Sequence, residues 1–219
     1  MTSRKLIARL ALPALLGCGL VVLLVLLSRV DARRQSAPLP VLGSVADFSL
    51  TNQFGNAFDS ATLRGSIWVA DVFFTRCPGP CVRLNTNLRR LQDALGDEDE
   101  TRIVSLTADA AFDTPEVLRR YAERFGADSN RWSFLTGPQP VIYRAVTEQL
   151  GLAVAENPAP ERAAPQDLFV HSTRLVLVDA AGRIRGYFDG ENPGVVKELQ
   201  AAIRRLELGE GAEGLGGEE

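Results

Sequence analysis

The chain has 219 residues, 46% of them hydrophobic, enough to bury one full core, and a single domain is the natural expectation. Its net charge of −3, from 24 basic and 27 acidic residues with the two signs interspersed, argues against nucleic acid as a partner. Only three cysteines, one methionine and one histidine are present, so a soft-metal site has almost no freedom in its choice of ligands.

The chain opens with Arg4, Lys5 and Arg9, then an uncharged run from Leu10 to Leu27 that is just long enough to span a bilayer as a helix. The run is longer than the usual core of a cleaved secretory signal and lacks an obvious A-x-A site. Leu15-Leu16-Gly17-Cys18 resembles a lipobox, yet the residues after Cys18 stay apolar where a lipoprotein turns polar. Residues 1–30 therefore read as a cytoplasmic amino terminus and an uncleaved transmembrane anchor. With no long Arg- and Ser-rich presequence, the expected location is the bacterial inner membrane, single-pass, with the domain facing the periplasm. Residues 31–43, with Pro38, Pro40 and Gly43, read as a tether, and residues 44–208 as the folded domain. The Gly- and Glu-rich end, 209–219, reads as a disordered tail.

Within the domain, strand and helix signals alternate. Phe48 to Thr51 and the region around Phe58 flank a hairpin-like turn, Asn52-Gln53-Phe54-Gly55-Asn56. Ile67 to Phe74 is an apolar run broken only by Asp71, as expected of a central strand buried on both faces. Leu84, Leu88, Leu91 and Leu95 then recur at helical spacing. Arg102 to Leu106 is the next strand, and Thr114-Pro115-Glu116 a helix start whose buried face carries Val117, Leu118, Tyr121 and Phe125. A short strand at Ser133–Leu135 and a helix at Val141–Leu150 follow, and Ala153–Asp167 has the composition of a surface loop. Two strands, Arg174–Val178 and Arg183–Phe188, flank the turn at Asp179–Gly182, and a last helix turns Val195, Val196, Leu199, Ile203 and Leu206 inward. This is the order of a thioredoxin-like α/β domain.

Cys77-Pro78-Gly79-Pro80-Cys81 sits where the buried strand ends and the long helix begins. Unpaired amides and the dipole at a helix start favour a thiolate. Prolines are tolerated there because the first-turn amides have no partner within the helix. Cysteines four apart share a helix face, so both sulfurs can converge on one soft metal ion, and they are close enough to form a disulfide. The motif is thus a redox pair, a metal clamp, or both. A purely structural disulfide is the remaining alternative, though it would link consecutive turns and constrain little chain. His171, the only histidine, stands between the polar loop and an apolar strand. In a thioredoxin-like domain that loop lies against the helix start, where such folds usually carry a cis-proline. A lone histidine is by default a surface or hydrogen-bonded core residue, but this position makes it a ligand candidate. Two thiolates and one imidazole suit copper.

Phe74-Thr75-Arg76-Cys77-Pro78-Gly79-Pro80-Cys81 resembles the cysteine motif of the Sco/SenC family. Ser105-Leu106-Thr107-Ala108-Asp109, running on to Asp113-Thr114-Pro115-Glu116-Val117-Leu118, resembles that family's second block, and His171-Ser172 with Leu177-Val178-Asp179 its third. The resemblance covers nearly the whole chain except the tail. It implies that Cys77, Cys81 and His171 are copper ligands. The role it implies is copper delivery to, or thiol reduction of, the binuclear copper site of cytochrome c oxidase. The expected partners are then that oxidase's copper-bearing subunit or another copper-site protein, and a periplasmic copper donor or thiol reductant. Val82 and Ala110 stand where many members have proline; neither departure removes a ligand.

Asp71 lies six positions before Cys77, the spacing at which thioredoxins carry a buried acid that assists proton transfer. A carboxylate buried there without a partner is costly, so it is a proton-relay candidate unless a local hydrogen bond accounts for it. Asp109 either orients the site or merely ends a strand. The competing function is a membrane-tethered thiol-disulfide oxidoreductase of the thioredoxin or TlpA kind. That reading explains the helix-start cysteines and Asp71, but it predicts Cys-x2-Cys and a cis-proline in place of His171, and the sequence has neither.

Overall fold

The computed structural model describes residues 38–96, 99–164 and 167–213. The expected membrane span at Leu10–Leu27, with Cys18, lies outside them, and no helix among the described residues is long and apolar enough to cross a membrane.

The centre of the molecule is β4 (Trp68–Phe73), in which every residue is buried. Its apolar run is explained by its neighbours. β5 (Arg102–Thr107) pairs with it in parallel on one side and β9 (Arg174–Val178) antiparallel on the other. β6 (Trp132–Thr136) continues the parallel part beside β5. The hairpin of β2 (Ser49–Asn52) and β3 (Ala57–Asp59) adds on beyond β6, and β10 (Arg183–Asp189) with the short β1 (Gly43–Ser44) beyond β9. The β2–β3 turn forms as its Asn-rich sequence predicts: Asn52 Oδ1 accepts from the amides of Phe54 and Asn56, and Gly55 takes φ +78°.

α1 (Pro80–Ala94) follows β4 and buries Leu84, Leu88 and Leu91 completely. α2 (Pro115–Phe125) starts as predicted, with Thr114 accepting from Val117 N at its cap, Pro115 in the first turn and Gly126 in the left-handed cap at its end. The predicted helix at Val141–Leu150 divides into α3 (Gln139–Arg144) and a wider π turn over Ala145–Gln149. α4 (Val195–Glu213) buries Val195, Leu199, Ile203 and Leu206 and packs on α1 and β10.

Three boundaries differ from the sequence reading. The end of the expected tether belongs to the domain: Arg185 donates to the carbonyls of Leu39 and Pro40, and Leu42 N donates to Ile184 O. The last helix runs to Glu213, past the expected start of the tail at 209, although its buried apolar register ends at Leu206. The expected loop at 153–167 is flanked by a ribbon, β7 (Val154–Glu156) antiparallel to β8 (Phe169–His171). Its anchor is Phe169, buried against the ring of Phe74 at 5.2 Å.

This topology sets the site. The chain leaves the carboxyl end of β4 into the cysteine loop and the carboxyl end of β5 into the turn at Asp109–Asp113. β9 runs opposite to β4, with Ala70 paired to Val176 and Trp68 to Val178, so the segment entering β9 returns to that same end of the sheet. That segment carries His171.

Candidate metal centre

The cysteine loop begins with Cys77 N donating to Phe74 O, and α1 opens only at Pro80. Cys77 is therefore not on the helix face the spacing suggested. Pro78 and Pro80 each push the preceding residue out of the helical region, so 77–79 form a turn and Cys81 alone lies in the first helical turn. The turn still brings the sulfurs together. Sγ of Cys77, Sγ of Cys81 and a ring nitrogen of His171 all lie within 4.8 Å of one another. Both cysteines are buried and His171 is partly exposed.

The imidazole is oriented. Nδ1 is 3.0 Å from the carbonyl of Ser172, an acceptor only, so Nδ1 carries the proton and Nε2 keeps its lone pair. Nε2 points at Cys81 Sγ, 3.2 Å away. Phe74 meets the ring edge-on at 5.5 Å, which limits its rotation. Ser172 N bonds to Ala153 O, extending the β7–β8 pairing beside the histidine.

The two thiols differ electrostatically. A hydrogen bond from the Cys81 thiol, helped by His171 and the amides of Cys81 and Gly79 against the opposing effect of burial, pulls Cys77 down to about 4. Cys81 is pushed well above the ordinary thiol value by donating to Cys77 and by burial. For His171, burial favours the neutral ring, but Cys77, the Ser172 carbonyl and the charge of Asp71 together outweigh it and raise the pKa, so the Nε2 lone pair is available once the ring has given up its second proton. The reduced cluster thus holds a thiolate at Cys77 and a proton at Cys81, and its donor set is one for a soft metal ion.

Asp71 is wholly buried in β4, the strand that runs into the cysteine loop. Ser105, its register partner on β5, donates from Oγ to Asp71 Oδ1 at 2.5 Å and accepts from Trp132 Nε1 at 2.9 Å. Oδ2 has no hydrogen-bond partner among the described residues, and burial raises the carboxyl to about 7. Its field reaches both His171 and Cys81.

Asp109 is one of two acids in the β5–α2 turn, and it accepts from Nε and Nη2 of Arg76 at 2.9 and 2.6 Å. The sequence reading assigned no role to the other, Asp113, which holds the cysteine loop in place. Buried, it accepts from Thr75 N at 3.1 Å and from the hydroxyls of Thr75 and Thr107. The signal was an acid six residues beyond the buried strand β5, but its partner Thr75 is remote in sequence.

A family model described as SCO1/SenC matches residues 41–206. Among solved structures, a SCO1/SenC family lipoprotein from Bacillus anthracis is 27% identical with a TM-score of 0.70, covering 78% of this chain and 99% of that one. BsSco, a member of the Sco family of cytochrome c oxidase assembly proteins in which a disulfide switch is identified, is 25% identical with a TM-score of 0.66, covering 78% and 98%. ScoI of Bradyrhizobium japonicum, solved with copper bound, shares the fold at 21% identity and a TM-score of 0.62, covering 74% and 99%.

Proposed function

This chain belongs to the SCO1/SenC family, and we propose on that premise that it is a membrane-anchored copper carrier that holds the ion with Cys77, Cys81 and His171. The proposed acceptor is the binuclear copper site of cytochrome c oxidase, supplied with copper or kept reduced at its cysteines. A periplasmic copper donor or thiol reductant stands on the other side. Copper bound to one structural relative and the oxidase-assembly role of another support this reading. So does the uncharged run at Leu10–Leu27, which would hold the domain at the periplasmic face.

One observation carries it: two sulfurs from one short loop and an imidazole from a distant part of the chain converge within 4.8 Å, with the Nε2 lone pair of the neutral His171 ring left free by the Nδ1 bond to Ser172. Cys77 is ready as a thiolate, and the proton on Cys81 leaves as the metal arrives. Burial shields both sulfurs, while His171 is the ligand partly open to solvent. Because both sulfurs must be thiolates, a Cys77–Cys81 disulfide excludes the ion. Protein purified in detergent should take up Cu(I) when reduced, and when oxidised only after reductant is added. Equal uptake by both forms would mean that the cysteines are not the ligands. The thiolate at Cys77, with a buried Asp71 six positions before it on β4, favours a second reading, a thiol-disulfide oxidoreductase of the thioredoxin or TlpA kind.

A further inference from the structure

Arg76 directly precedes Cys77, and its charge is displayed asymmetrically. Its partner Asp109 is buried, with 5% of its side chain exposed, while 39% of the Arg76 side chain is exposed. Asp109 occupies Nε and Nη2, so the Nη1 side has no hydrogen-bond partner among the described residues. The guanidinium lies 4.4 Å over the ring of Phe112, which is itself 45% exposed. Phe112 does not hold the turn together. The turn closes by Phe112 N and Asp113 N bonding to Asp109 O, and Asp113 fixes it beneath the cysteine loop. An arginine held by two hydrogen bonds to one oxygen of Asp109, with its guanidinium stacked over an exposed ring carried on a closed turn, has little side-chain entropy left to lose on binding, which is the character of an interface anchor.

The rest of the rim agrees. Val170, next to His171 on β8, is 56% exposed. A cleft of about 470 Å³ runs from Arg76 to Arg162, Ala163, Ala164 and Leu168. Arg162 pairs with the exposed Glu156 at 2.8 Å, so both signs face solvent there, whereas the carboxylate that pairs with Arg76 is buried behind it and the cationic edge of Arg76 faces the cleft. A protein of net charge −3 thus presents a cation and exposed apolar side chains around its cysteine–histidine cluster.

We propose that Arg76 and Phe112 anchor the protein partner of the cluster, and that this partner presents a carboxylate and an apolar side chain beside its own metal-binding or disulfide-bearing segment. The inference rests on the carrier reading above and adds the chemistry of the partner's surface. Thiol-disulfide exchange tests it without metal. The Cys77 thiolate attacks one sulfur of a peptide disulfide and releases the other as thiolate. Cys81 then gives its proton to the first peptide thiolate and attacks the Cys77 sulfur of the mixed disulfide, releasing the peptide's second thiolate and leaving the Cys77–Cys81 disulfide.

The probes are two synthetic peptides with the same Cys-x3-Cys disulfide, one flanked by Glu-Leu and the other by Lys-Leu. At low salt the reduced full-length protein should react about tenfold faster with the acidic peptide, and the preference should shrink at high salt. Phe112→Glu, at an exposed position, should abolish or invert the preference, and Arg76→Gln should abolish it. Phe112→Glu keeps the test valid should loss of Arg76 beside buried Asp109 unfold the protein. Equal rates in the native protein, or a preference that survives both substitutions, would overturn the proposal. So would equal rates together with a concentration-dependent dimer lost in Phe112→Glu, which would assign the rim to a second copy of this chain. Cu(I) binding measured on the same variants separates the two ideas: copper bound with no charge preference sinks only the docking surface, and a preference without copper binding sinks only the carrier.

Discussion

Asp71 and Ser105 face each other across the parallel register of β4 and β5, and the serine hydroxyl donates to one oxygen of a carboxyl buried without a cation. Burial raises that carboxyl to about 7, while in the unfolded chain it titrates near ~4. Protonation therefore favours the folded state. The contribution is fully present below about pH 4 and is lost as the pH rises through about 7, amounting to at most about 4 kcal/mol. Asp71→Asn keeps an acceptor for Ser105 and removes the charge. It should be more stable than the native protein to urea at about pH 8, with the difference shrinking toward about pH 4. A difference independent of pH would show that Asp71 is not the titrating group.

Cys77 and Cys81 should label at very different rates. With Cys77 pulled down to about 4 by the hydrogen bond from Cys81, it is a thiolate across the neutral range, whereas Cys81 keeps its proton. Brief alkylation of the reduced, metal-free protein at about pH 6, read by peptide mass spectrometry, should modify Cys77 well ahead of Cys81. Preferential labelling of Cys81 would reverse the assignment of the charge within the cluster.

Cys18 separates two kinds of membrane attachment. If the run at Leu10–Leu27 spans the bilayer, Cys18→Ser should stay in the membrane fraction at full length and need detergent for release. The Bacillus anthracis relative is a lipoprotein, and lipidation at Cys18 would give the contrary result: a shortened, acylated native protein and loss of attachment in the variant.

The sequence made some of this legible and left other parts out of reach, for identifiable reasons. β4 could be read from its apolar run and α2 from Thr114-Pro115-Glu116, because both signals are local. The ribbon of β7 and β8 could not. Its strands are three residues long with no apolar alternation, and it is held by a contact between Phe169 and Phe74 that lies far apart in sequence. Asp71 stood out as a charge in an apolar strand, but its partners Ser105 and Trp132 follow from strand register, which spacing along one strand does not contain. The pairing of Arg76 with Asp109 depends in the same way on the parallel alignment of β4 with β5. The convergence of His171 on the cysteines was reached through the expected fold, whereas the placement of Cys77 outside the helix turns on two prolines whose combined effect the spacing rule ignored.

The most direct test of the carrier reading is the Cu(I) affinity of His171→Ala, measured by competition with a chelator alongside its rate of thiol-disulfide exchange. The ring stands 3.2 Å from Cys81 Sγ with its lone pair toward the sulfurs, so as one of three donors it should be worth more than tenfold in affinity, or more than about 1.4 kcal/mol. Exchange with a small disulfide should survive, because both cysteines remain, Cys77 in the turn before α1 and Cys81 in its first turn. Copper affinity unchanged in His171→Ala, with thiol reactivity altered instead, would contradict the account and leave the oxidoreductase reading in its place.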